Sequence, residues 1–228
     1  MTKDQIPVTG GAPNGDGRGA TNRGAWSWIT GHSRRWRVVA TAAALLGVSA
    51  AGGWAYSFYS CGSNCTPRWP PGRIALYANQ EATDCDLAAL ERAIAQWNAA
   101  LAQVGADVQV ALAGRTAHYG LQKNGLSTVA LLVGRWPKER RLFGWTSIWW
   151  RSGRIVEGDI VFNLQHHRFR CDIPVRRGHT TSLEQEMMHE LGHFLGLDHG
   201  RAGIMAPVGY AAAVDPDALE GLRALYGP

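Results

Sequence analysis

His189-Glu190-Leu191-Gly192-His193-Phe194-Leu195-Gly196-Leu197-Asp198-His199 reads H-E-x-x-H-x-x-G-x-x-H, and the reading of this stretch decides the rest of the chain. On a helix, His189 and His193 lie four residues apart, so both imidazoles project from one face about one turn apart. Two neutral imidazoles at that spacing can share one metal ion. Glu190 is rotated by roughly 100° around the axis, away from a ligand's position but within reach of a water on the metal. Gly196 can take a positive φ, which stops the helix and lets the chain swing His199 back as a third ligand. Three protein ligands leave a fourth position open, the arrangement of a catalytic zinc site. At ordinary residue frequencies, the five fixed positions arise by chance in roughly one chain of this length per 10⁵.

The motif resembles the extended zinc signature of the metzincin metallopeptidases, and the flanking residues resemble the matrixin family among them. Ile204-Met205-Ala206-Pro207 is similar to the clan's methionine turn. Asp198 beside His199, the ending from Asp215 to Gly227, and Gly158-Asp159-Ile160-Val161-Phe162-Asn163 are similar to matrixin segments. The resemblance covers Arg68 to Pro228. It implies an α+β catalytic domain with a twisted, mixed five-stranded sheet and three main helices. It also implies a zinc endopeptidase with His189, His193 and His199 as ligands and Glu190 as general base. Met205 becomes a floor beneath the ligands, and Pro207 part of the wall of the specificity pocket. Trp145, Trp149 and Trp150, on the first strand of a hairpin, become candidates for substrate binding at a sheet edge; their competing reading is plain packing of the sheet. Five residues separate His199 from Met205, a short link in which the chain departs from the family pattern. Tyr210 lies too far beyond Met205 to serve as a metal-binding tyrosine. A structural calcium would fit the family, yet no particular residue supports one. No propeptide cysteine motif is found, so latency by that route is not expected.

The chemistry implied is specific. Zinc lowers the pKa of its bound water from about 15.7 towards about 7; Glu190 takes the proton during attack on a peptide carbonyl and passes it to the leaving amine. A zinc-binding module of this fold without catalysis is the competing function, and Glu190 weighs against it. An intramembrane protease would need a zinc helix apolar all round, whereas Glu184, Gln185 and Glu186 precede His189. Of the other histidines, His118, His166, His167 and His179 show no ligand spacing with one another.

The chain carries a net charge of +5, unevenly spread. Residues 1–37 hold six Lys or Arg against two Asp, and the remainder is close to balanced. A basic tail without a basic folded face does not suit a nucleic-acid role. Residues 1–37 have too few large apolar residues to form a core, so they read as a disordered basic tail on the cytoplasmic side. Val38–Tyr59 is uncharged, and as a helix it spans about 33 Å, enough to cross a bilayer. Arg34, Arg35 and Arg37 before it favour a cytoplasmic N-terminus and an extracytoplasmic domain. The alternative is a signal peptide cleaved near Val48-Ser49-Ala50, giving a secreted protein. Residues 60–72 read as a linker and 73–228 as the metallopeptidase domain. All four cysteines follow the apolar run, and in an oxidising compartment three pairings are open; Cys61–Cys65 with Cys85–Cys171 is the expectation.

Within the domain, 73–78, 107–113, 129–133, 142–150 and 155–163 read as strands, the last two as a hairpin around Ser152-Gly153. Thr83 and Asp86 form a capping box for a helix to about Val104, whose apolar stripe should pack on the sheet. Thr181 or Ser182 caps the zinc helix, which runs through Leu195. Asp215 caps a last helix with Pro216 at its first position.

Overall fold

The computed structural model describes residues 6–7, 56–177, 180–208 and 211–228. In chain order the elements are β1 (Ile6–Pro7), β2 (Ser57–Phe58), β3 (Gly72–Asn79), α1 (Asp84–Gln103), β4 (Val108–Thr116), β5 (Ser127–Leu132), β6 (Gly144–Arg151), β7 (Arg154–Asn163), β8 (Phe169–Arg170), β9 (Thr181–Ser182), α2 (Leu183–Phe194), β10 (Leu197–Asp198) and α3 (Pro216–Tyr226). Five long strands and three helices are the expected architecture, with the two-residue β1 added at one edge. The sheet order is β1-β6-β7-β5-β3-β4. β3 runs parallel to β4 and β5, and β5 parallel to β7, while β6 returns antiparallel to β7 across the Ser152-Gly153 turn.

Alternation along the central strands sorts their side chains into two cores. Val129 and Leu131 of β5, Ile160 and Phe162 of β7, and Ile148 of β6 point towards the helices and join the main core. Ala130, Leu132, Val161 and Trp145 point the other way, into a smaller cluster covered by Tyr119, Leu121 and Trp136. Both faces are thus closed, which is why β5 reads as a continuous apolar run.

Helix α1 starts with the expected capping box: the Thr83 side chain accepts from Asp86 N, and the Asp86 carboxylate accepts from Thr83 N. Its stripe of Leu90, Ala93, Ile94, Trp97 and Leu101 is buried. The packing differs from expectation, since α1 meets α2 more extensively than it meets the sheet. Trp97 explains this, because its indole N–H donates to Met188 O at 2.8 Å on α2. Ser182 caps α2, its hydroxyl accepting from Gln185 N, and every residue of α2 but Gln185 is buried. Asp215 caps α3 ahead of Pro216. The disulfides are Cys61–Cys65 and Cys85–Cys171, as expected, and the second joins the start of α1 to the loop before α2.

The domain begins earlier than the sequence suggests. Residues 60–72 are not a linker, and Tyr56–Tyr59 are not the end of an apolar run standing apart from the domain. Ser57–Phe58 pair antiparallel with Leu197–Asp198, and Tyr59 and Trp69 are buried in the main core. The Trp69 indole donates to Phe194 O at 2.7 Å, and an Arg68 guanidinium N–H to Leu225 O at 2.9 Å. Large aromatic side chains are buried where a surface can receive them, and here the C-terminal ends of α2 and α3 provide it. Among the described residues, no helix is long and apolar enough to cross a membrane; residues 38–55 lie outside the described residues.

Candidate metal centre

Helix geometry brings His189 and His193 together as expected, and both are buried. After Leu195, Gly196 turns the chain at φ +100°. A side chain there would also strike Pro67 O, 2.8 Å from a Cβ position, so glycine is required twice over. The turn delivers His199, and the ring nitrogens offered by the three histidines lie within 4.8 Å of one another. Among the described residues this is the one His/Cys/Asp/Glu group able to hold a metal ion.

Proton bookkeeping on the rings tests whether a cation belongs there. His189 Nδ1 lies 2.7 Å from Ile204 O, and His193 Nδ1 lies 2.8 Å from Leu197 O. Carbonyl oxygens only accept, so each Nδ1 carries the proton and each Nε2 presents a bare lone pair. Those two Nε2 atoms face each other at 3.1 Å. Two lone pairs cannot bond to each other, but a cation between them satisfies both. His199 Nε2 is buried without any hydrogen-bond partner, a third donor atom without an occupant of its own. Burial, together with the neighbouring imidazoles, lowers the pKa of His189 to about 3 and that of His193 well below its usual value; burial also lowers that of His199, against Asp198. All three are therefore in the neutral form that ligates metal. The donor set fits one zinc ion.

Glu190 is buried beside this group. Thr146 of β6 donates its hydroxyl to Glu190 Oε2 at 2.5 Å, fixing the carboxyl group. Burial raises the Glu190 pKa to about 8, with the Thr146 bond opposing and Glu186 adding to the rise. The carboxyl group packs against Gly144, where a Cβ would sit 2.5 Å from Glu190 Oε1. Met205 is buried under α2, its sulfur against Gly192, where a Cβ would overlap it. Pro207, just beyond, is exposed.

Trp145, Trp149 and Trp150 all lie on β6, the first strand of the hairpin. Trp145 is buried in the small core on the sheet face turned away from α2, and its indole donates to Ser147 Oγ at 3.2 Å. Trp149 is also buried, and half-buried Trp150 packs against the main core. Strand alternation puts Trp145 on the sheet face opposite Thr146, whose hydroxyl meets Glu190. His118 and His167 bond to Asn124 Nδ2 and Arg140 O and are not part of the metal-holding group; His179 and Tyr210 lie outside the described residues.

Three supports were not legible in the motif. Asp215 Oδ2 accepts from Ile204 N at 2.6 Å while Oδ1 caps α3, so the capping residue also steadies the carbonyl that holds His189. Thr146 acts on Glu190 from 44 residues away. Tyr59 Oη lies 3.0 Å from His193 Nδ1 across 134 residues, and no spacing rule could pair them.

No protein-family model matches the chain, and no curated protein sequence matches it. Among solved structures, the chain is similar to high choriolytic enzyme 1, a hatching-enzyme zinc protease of the medaka Oryzias latipes. The identity is 14%, over 64% of this chain and 56% of that one, at a TM-score of 0.33. It is also similar to metalloproteinase-II of Bacteroides fragilis, at 14% identity over 78% of this chain and 60% of that one, with a TM-score of 0.43. The chain thus spans little more than half the length of either, and likenesses this loose assign it no family.

Proposed function

We propose that the chain is a zinc-dependent endopeptidase of metzincin type, nearest in its motifs to the matrixins. The observation that carries this reading is the proton arrangement at His189 and His193, with the unpartnered Nε2 of His199 and a buried carboxyl group beside them. His189, His193 and His199 would hold the zinc, which when bound supplies the Lewis acidity that activates water and polarises a peptide carbonyl. Glu190 accepts the proton of the attacking water and returns it to the leaving amine. Thr146 holds the Glu190 carboxyl group in place for both transfers. Met205 keeps the two helical ligands on a rigid apolar support, and Pro207 borders the site as part of the pocket wall. A zinc-binding module without catalysis would have no use for Glu190, whose burial is unfavourable without a role.

The test measures zinc content by elemental analysis and hydrolysis of a diverse peptide library, before and after chelation. One zinc per chain, activity lost on chelation and regained with zinc, is expected. His193→Ala should lose metal and activity together. Activity intact in zinc-free protein would sink the assignment.

For location, the Arg34-Arg35-Arg37 cluster and the uncharged run after it support export of the domain, held by that run as an anchor or released by cleavage. An anchor with a cytoplasmic N-terminus would put Ile6–Pro7 and β6 on opposite sides of the membrane. Such a crossing and the pairing of Ile6 with Ile148 exclude one another. Protease added to intact cells decides: loss of the domain with the tail spared supports the anchor, and protection of the domain refutes it.

A further inference from the structure

We infer that Tyr59 is a positioning residue for the metal ligand His193, and that the segment carrying it is a strap on which zinc affinity depends. The inference rests on the reading of the three histidines as zinc ligands.

The strap runs across the C-terminal end of α2 and meets it at successive residues. Ser57–Phe58 pair with Leu197–Asp198, the two residues between the Gly196 turn and His199. Tyr59 N donates to Gly196 O at 3.4 Å. Pro67 O stands against Gly196, and the Trp69 indole donates to Phe194 O. Between these contacts the Cys61–Cys65 disulfide closes the chain on itself, with Cys61 N donating to Cys65 O at 2.9 Å. The stretch that brings His199 to the site is therefore not a loose loop after a helix. It is one side of a small two-stranded sheet whose other side is residues 57–58.

Tyr59 adds a contact to the ligand itself. Leu197 O already requires a proton on His193 Nδ1, so the Tyr59 oxygen, 3.0 Å away, receives a share of the same N–H. Two acceptors on one N–H fix the tautomer that leaves Nε2 bare, lock the ring orientation, and raise the electron density of the ligating nitrogen. The phenol ring is buried, 6.0 Å from the His193 ring between centroids, so its hydroxyl cannot turn to water without moving the strap. Nδ1 is the ring nitrogen opposite the ligating one, so Tyr59 acts through His193 and does not itself touch the metal.

The experiment is chelator competition for Zn²⁺ on the full chain and on Tyr59→Phe. The substitution keeps the ring and its packing while removing the one oxygen in question. Loss of an outer partner of a ligating histidine typically costs about 10–100-fold in metal affinity, and the lower part of that range is expected because Leu197 O remains. The melting temperature of the metal-free variant should match that of the metal-free parent. Cobalt(II) replacing zinc should give a visible absorption band shifted in Tyr59→Phe, reporting a changed ligand field. Equal zinc affinity within about twofold and an unchanged cobalt spectrum would overturn the inference while leaving the zinc site standing. A metal-free variant that melts well below its parent would also overturn it, by making Tyr59 a packing residue only. A parent chain that binds no zinc would bring down the underlying reading instead.

Discussion

Glu190→Gln separates an enzyme from a metal-binding scaffold. The substitution keeps the size of the side chain and leaves an acceptor for the Thr146 hydroxyl, which donates to Oε2 at 2.5 Å. It also leaves the ring hydrogen bonds of His189 and His193 to Ile204 O and Leu197 O untouched. What disappears is a group able to take a proton from water. General-base catalysis is worth about 10²–10⁴ in rate, or about 3–5 kcal/mol in the barrier, and turnover should fall by at least the lower figure. Stability should move the other way. Burial is what raises the Glu190 pKa to about 8, so a charge at this position is unfavourable and a neutral amide removes that penalty. The melting temperature of the metal-free variant should hold or rise, and its zinc content should equal that of the parent. The assay pairs steady-state hydrolysis of a library-selected peptide with elemental analysis and thermal melts on the same preparation. Near-normal turnover would show that another group activates the water. Loss of zinc along with activity would show that Glu190 helps hold the site, and the division of roles drawn here would be wrong.

Gly144→Ala should act on the same carboxylate from the opposite side: its Cβ, 2.5 Å from Oε1 and 2.9 Å from Cδ, displaces Glu190, and a displacement of this kind can lower turnover about 10²-fold with zinc retained; full activity would show that the contact relaxes harmlessly. Replacing Cys85 and Cys171 by Ser opens a loop with a sequence separation of 86; chain entropy makes that closure worth about 4–5 kcal/mol and practice somewhat less, so the melting temperature should fall by roughly 5–15 °C. Opening Cys61–Cys65, with a separation of 4, should cost less stability, and the reverse order would refute the chain-entropy account. Asp159 is buried beneath the loop that precedes β5, accepting from Gln122 N, Thr128 N and the Thr128 hydroxyl; burial, with a smaller contribution from Glu157, raises its pKa to about 7. The folded state then holds this proton more tightly than the unfolded chain, whose Asp titrates near about 3.9. Its stabilising contribution is therefore complete below pH about 4 and lost as pH rises through 7. Between those limits the parent should lose melting temperature relative to Asp159→Asn, and a constant gap would refute the assignment.

The sequence by itself determined the ligand triad, because the spacings that bring His189, His193 and His199 together are local: one helical turn, then a glycine turn. The caps of all three helices, the hairpin at Ser152-Gly153 and the run of strands were legible for the same reason, since each follows from residues within a few positions of one another. Tertiary structure decided everything that joins distant segments. Alternation and periodicity say which residues share a face but not what that face meets, so Trp145 could be read either as a binding residue or as packing until the second core was seen. An apolar, aromatic run reads alike whether it ends in a bilayer or under a helix, and only the burial of Tyr59 against His193 shows that its last residues belong to the domain. Thr146 against Glu190, Asp215 under Ile204 and Tyr59 on His193 are hydrogen-bond contacts across 11 to 134 residues. A hydrogen bond leaves no periodic trace in a sequence, because its geometry is met by two atoms and not by a repeating face. The local motif therefore sets which atoms can ligate, and contacts made only in the folded chain set their protonation, aim and support.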